Sequence, residues 1–78
     1  MAYRDMDSGK VEARIRGICE RCRGITWAHE ASGEVSRLIS EELGYGGSPQ
    51  VSRIVTSGDP VFFVKLSAPD GALMSLTI

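Results

Sequence analysis

The last third of the chain is written as a hairpin. Val61-Phe62-Phe63-Val64-Lys65-Leu66 and Ala72-Leu73-Met74-Ser75-Leu76-Thr77-Ile78 flank Ala68-Pro69-Asp70-Gly71. Both flanks read as strands. The segment between them is turn chemistry, because Pro presets its φ and Gly takes a positive φ. An isolated hairpin is marginal in water, so something upstream must lie on one of its faces. Only 78 residues are present to do this. That length supports one hydrophobic core and one domain, residues 1–78, with the polar residues 1–9 expected to be flexible.

The upstream residues supply helices. Val11, Ile15, Ile18, Cys19 and Cys22 are spaced to share one helical face, with Ser8 placed as a cap and Gly24 as a left-handed stop. Val35, Leu38, Ile39 and Leu43 repeat the pattern, with Glu34, Arg37, Glu41 and Glu42 on the opposite side. Ser32 is the expected cap of this second helix and Gly44 its stop. Trp27, the single Trp, is expected to be partly buried between the two.

Tyr45-Gly46-Gly47-Ser48-Pro49 and Ser57-Gly58-Asp59-Pro60 are turns by composition. Residues 50–57 fit two states. Val51, Ile54 and Val55 suit one side of a short helix, while the β-branched content suits a strand. The predicted class is therefore α+β. Two N-terminal helices, three if 50–57 is helical, pack on a C-terminal antiparallel sheet of two strands, or three if 50–57 is extended.

Charge is unevenly placed. Nine Lys+Arg against ten Asp+Glu leave a net charge of −1, which excludes a strongly basic nucleic-acid protein and an acidic DNA mimic. Yet Lys10, Arg14, Arg16, Arg21 and Arg23 face only Glu12 and Glu20 within residues 10–23. Glu30, Glu34, Glu41 and Glu42 face only Arg37 within 30–44. Two neighbouring helices of opposite charge would attract each other. Alternatively, one of them presents a charged face to a partner and speeds its association.

Reactive groups are few. Cys19-Glu20-Arg21-Cys22 is the one cluster with candidate chemistry, and tetrahedral zinc needs four ligands. His29 could be a third and Glu30 a fourth, an unusual set. A redox pair should follow a strand and open a helix, whereas this pair closes one. Buried packing is the default for two such side chains. His29 with Ser32, Glu30 or the cysteines forms no complete catalytic arrangement. The glycines at 44, 46 and 47 lack the Lys-Ser/Thr that completes a phosphate loop. No cofactor is expected, and metal binding rests on Cys19, Cys22 and His29 alone.

Two local resemblances exist. Gly17-Ile18-Cys19-Glu20-Arg21-Cys22-Arg23-Gly24 is similar to the first knuckle of zinc-ribbon regulators related to DksA and TraR, without the second Cys pair that completes such a site. Residues 38–55, including Glu41-Glu42-Leu43-Gly44 and Val51-Ser52-Arg53, resemble bacterial helix-turn-helix segments, and the hairpin at 61–78 is similar to a wing. That resemblance implies DNA contacts by Ser48, Gln50, Ser52, Arg53 and, on the wing, Lys65. Arg53 and Lys65 are few cations for an affinity built largely on phosphate neutralisation.

The leading expectation is a non-enzymatic binding protein that occludes a partner stoichiometrically. Chains of this size include phage or mobile-element regulators and inhibitors, anti-CRISPR proteins and antitoxins among them, so the expected partner is a protein, with a nucleic-acid-processing complex as one expected setting. Arg14, Arg16, Arg21 and Arg23, then Glu34, Glu41 and Glu42, are the expected contacts. The alternative is a winged-helix-like DNA-binding regulator. No apolar run approaches the roughly 18 residues of a membrane span. No apolar signal segment follows Met1, so the cytoplasm is the expected location. A homodimer through the hairpin edge is a further expectation.

Overall fold

Two helices are followed by three strands in the computed structural model, which describes residues 2–55 and 58–78. A 3-10 turn, Tyr3–Asp5, leads into helix α1, Ser8–Cys22, and helix α2, Ala28–Leu43. Strands β1, Gln50–Val55, β2, Pro60–Ser67, and β3, Leu73–Thr77, form one antiparallel sheet in the order β1-β2-β3. This is the α+β arrangement read from the sequence. Among the described residues no helix is long and apolar enough to cross a membrane.

Helical spacing decides which side of each helix is buried. Val11, Ile15, Ile18, Cys19 and Cys22 of α1 meet Ala31, Val35, Ile39 and Leu43 of α2 in one core. The sheet contributes Phe62, Val64 and Leu66 from β2 and Leu76 from β3. Nine large side chains, from Phe62 to Cys19, are under 2% exposed. Burying each one fully is worth about 1.5–3 kcal/mol, so this cluster dominates the stability.

Several boundaries differ from the sequence reading. Asp7, not Ser8, is the N-cap of α1, and its carbonyl accepts the Val11 N–H at 3.0 Å. Helix α2 starts at Ala28, so Ser32 lies inside it and its hydroxyl donates back to the Ala28 carbonyl at 3.0 Å. Gly44 ends α2 with φ 68, as a left-handed stop should. Gly24 does not adopt positive φ; Ile25 N–H instead closes a turn onto the Cys22 carbonyl at 3.2 Å. Trp27 is 69% exposed rather than wedged between elements. The expected flexible segment 1–9 includes Met1, which lies outside the described residues. Its remainder is docked by Tyr3, whose hydroxyl donates to the Ser67 carbonyl at 2.6 Å.

Residues 50–55 are extended, and this decides the sheet. Val51 pairs with Val64 and Arg53 with Phe62 on the core side. Thr56 and Ser57, the end of the ambiguous segment and the start of the expected 57–60 turn, lie outside the described residues. The 68–71 turn forms as read. Gly71 has φ 92 and donates to the Ala68 carbonyl at 2.9 Å, while Asp70 Oδ1 accepts the Ala72 N–H at 3.0 Å.

Candidate functional site

The charged side chains of both helices are engaged within the chain. Arg21 Nη2 on α1 donates to both carboxylate oxygens of Glu42 on α2, at 2.8 and 2.7 Å. Arg14 stands 4.0 Å from the same carboxylate. Arg16 pairs with Glu12 one turn away at 3.2 Å. Arg23 holds Glu20 at 2.9 Å and also donates to the Pro60 carbonyl at 3.1 Å, tying the end of α1 to the start of β2. Arg37 grips Glu34 through two bonds of 2.8 Å and bonds Glu41 as well. Those bonds hold the Glu34 carboxyl below its usual range and push the Arg37 guanidinium up. Glu42 is therefore the one carboxylate that pairs across the α1–α2 contact among the described residues, and the remaining ion pairs are local to one helix. The expected contact residues Arg14, Arg16, Arg21, Arg23, Glu34, Glu41 and Glu42 all have partners inside the chain.

Four of the five expected DNA-reading residues, Ser48, Gln50, Ser52 and Lys65, lie together, but on a sheet face rather than on a helix, and Arg53 is separated from them. A strand at 50–55 removes the second helix that a helix-turn-helix requires. Gln50 and Ser52 lie on the outer face of the sheet, with Ser48 in the preceding loop and Lys65 on β2 opposite Gln50. Arg53 points to the other side. Its Nη2 donates to the Thr26 carbonyl at 2.7 Å and its Nη1 to the Ile25 carbonyl, so it latches the α1–α2 connection to the sheet. The β-branched residues that suited both states form a strand because the extended state pairs them with β2 and buries Val51 against the core.

Cys19 and Cys22 are buried in the core. Burial first, then the neighbouring Cys22 sulfur, pushes the Cys19 thiol up to about 11. Burial and the Glu34 carboxylate raise Cys22 as well. Both are neutral thiols at pH 7, the poor form for metal binding or nucleophilic attack. His29 and Glu30 are exposed near the start of α2. Among the described residues no group of three His, Cys, Asp or Glu side chains could hold a metal ion. An open groove lies between Tyr3, Tyr45, Ser67, Pro69 and Gly71. Its two tyrosine hydroxyls are already committed to Ser67.

What the structure leaves unused is the outer face of the sheet. The helices cover the face of Phe62, Val64 and Leu66. Strand alternation sends Gln50, Ser52 and Ile54 of β1, Val61, Phe63, Lys65 and Ser67 of β2, and Leu73, Ser75 and Thr77 of β3 to the other side. A solvated sheet face is ordinarily polar. Here Ile54 is 48% exposed and pairs across with Val61, Phe63 is 38% exposed, and Leu73 is 75% exposed. Among the described residues Lys65 is the one charge on this face, and the apolar residues Ile54, Val61 and Phe63 cluster at one end of it. Exposed Trp27 follows directly on Thr26, the residue that Arg53 binds, so it stands at the same end as Ile54 and Val55.

A sequence signal for this face existed. Val61-Phe62-Phe63-Val64 is an uninterrupted apolar run, and an uninterrupted run puts apolar groups on both sides of a strand. Two helices can cover only one of them. Comparison with protein-family models, curated proteins and solved structures finds no match to this chain.

Proposed function

We propose that this chain is a non-enzymatic binding protein that docks on a protein partner through the outer face of its sheet and blocks the surface it covers. Ile54, Val61 and Phe63 form the centre of the contact. The observation that carries this reading is the apolar cluster of Ile54, Val61 and Phe63 on a sheet face that no helix covers. Contiguous exposed apolar groups rimmed by polar ones mark interaction surfaces, and a few aromatic anchors usually dominate their energy. Gln50, Ser52, Lys65, Ser75 and Thr77 would supply the polar rim. Arg14 and Arg21 with Glu42 then serve to hold α1 to α2, and the other helical pairs support their own helices. In the phage or mobile-element setting that chains of this size suggest, the partner would belong to a nucleic-acid-handling complex, in the manner of anti-CRISPR inhibitors.

The test is retention of a partner from host extract by the tagged wild-type chain and by folded variants. A partner held at a one-to-one ratio, lost with Phe63→Lys or Ile54→Lys and kept with Arg14→Glu, is expected. Equal retention by Phe63→Lys, or turnover of a small molecule by the purified chain, overturns the proposal.

A further inference from the structure

Strand β3 is an open edge with an unusually self-compatible register. Phe62 and Ile78 exchange both backbone hydrogen bonds, at 2.8 and 2.9 Å, and Ala68 N–H donates to the Ala72 carbonyl at 2.7 Å. Antiparallel ladders alternate, so the even-numbered residues of β3 turn their backbone groups toward β2. Leu73, Ser75 and Thr77 therefore turn theirs away from it. Among the described residues β3 pairs with β2 alone.

The two edges of the sheet are not equivalent. Strand β1 follows Pro49 and carries the inward-pointing charge of Arg53, both features that discourage strand addition. Strand β3, Leu-Met-Ser-Leu-Thr, contains no charge, no proline and no glycine. Its open positions are also symmetric about Ser75.

We propose that β3 pairs antiparallel with β3 of a second copy of this chain, about a two-fold axis that sets Ser75 opposite Ser75. Each outward N–H then meets an outward carbonyl: Ser75 with Ser75, and Leu73 with Thr77 in both directions. The two sheets become one continuous six-stranded sheet with all helices on the same side. On the helix side Met74 meets Leu76 of the second copy, and Ile78 meets Ala72. Met74 and Ile78 are only half-buried in the single chain, so the pairing completes their cover. On the outer side the exposed Leu73 gains Thr77 as a cross-strand neighbour. No charge opposes its own copy anywhere along the strand, which is what selects a second copy as occupant. This pairing is independent of the partner docking proposed above, and it leaves Ile54, Val61 and Phe63 uncovered.

Two variants test it on the full chain. Ser75→Pro removes an N–H that the β2–β3 ladder does not use, so the single chain should tolerate it. Ser75→Glu sets two like charges directly opposite each other across the axis, while within its own chain it faces Lys65. Sedimentation of the wild type should give twice the chain mass, and both variants the single mass with unchanged circular dichroism. Amide exchange should show Leu73, Ser75 and Thr77 protected in the wild type and released in the variants. A wild type of single mass at every concentration overturns the proposal. So does a dimer that survives both substitutions, or a wild type whose three amides exchange freely. Should both variants fail to fold, the wild-type amide protection decides.

Discussion

The rings of Tyr3 and Tyr45 meet edge to face, with centroids 5.0 Å apart and planes at 61°, and their hydroxyls satisfy both backbone groups of Ser67. The Tyr3 hydroxyl donates to the Ser67 carbonyl, and the Tyr45 hydroxyl accepts the Ser67 N–H at 3.1 Å. Ser67 lies beyond the first rung of β1, Gln50 opposite Lys65, so that side of β2 has no strand to pair with. Two side chains from distant parts of the chain complete the ladder in its place. A net protein hydrogen bond is worth about 1 kcal/mol. Tyr3→Phe should therefore lower the thermal midpoint by about 4–8 °C for a domain of this size, as read by circular dichroism.

Gly47 belongs to the same arrangement. A Cβ there would stand 2.7 Å from the Tyr45 hydroxyl oxygen and 2.8 Å from the ring carbon that bears it. Gly47→Ala must push the ring off Ser67 or shift the loop, a strain of about 1–3 kcal/mol. The loss should shrink when Tyr45 is already Ala. A double-mutant cycle on unfolding free energy measures this coupling.

Arg53 separates a structural role from a DNA-binding one. Its guanidinium binds the carbonyls of Ile25 and Thr26 from the sheet. Hydrogen bonds from a charged donor are worth about 1.5–3 kcal/mol, so Arg53→Ala should destabilise the chain by that order in urea unfolding. Arg53→Lys should recover only part of it, because an ammonium does not reproduce the planar fork. A variant of wild-type stability that loses duplex DNA binding would restore the reading of this residue as a base or phosphate contact.

The helices and the 61–78 hairpin were legible because local patterns determine them. Val11 to Cys22 and Val35 to Leu43 carry a helical period, and Pro69-Asp70-Gly71 carries the turn. Residues 50–55 were not legible, since Val51, Ile54 and Val55 satisfy a helical and an extended pattern equally. Pairing with β2, a contact distant in sequence, decides between them. The candidate surface was hidden for the opposite reason. Arg14, Arg21 and Glu42 look like contact residues until the α1–α2 packing brings them together. Phe63 looks like core until the helices are seen to cover Phe62 instead. The exposure of Trp27 follows from α2 starting at Ala28, which no strong capping residue announced.

The buried thiols make stability depend on alkaline pH. Cys19 is held up to about 11 in the folded chain, against about 8.5 for a free cysteine. The folded state thus keeps its proton where the unfolded chain loses it. The contribution is fully present below about pH 8.5 and is lost as pH rises toward 11. The thermal midpoint should fall across that window in the wild type and fall less in Cys19→Ala, which will also start lower because a buried group is missing. Thiol reagents should modify neither cysteine at pH 7 until the chain is unfolded.

Arg21 and Glu42 give the sharpest test of what the charged helices do. One Arg21 nitrogen makes both contacts and the pair is partly solvated, with side-chain exposures of 56% and 30%, so its net worth is about 0.2–1 kcal/mol. Reversing one partner should cost more than deleting it. Arg21→Glu sets a carboxylate against Glu42 and leaves Arg14, 4.0 Å away, as the nearest cation. The swap Arg21→Glu with Glu42→Arg should recover most of the loss, and high salt should narrow the differences among all three variants. Equal stability of the single reversal and the wild type at low salt would mean that this contact contributes nothing to folding. The arginine face would then return as a surface kept for a partner.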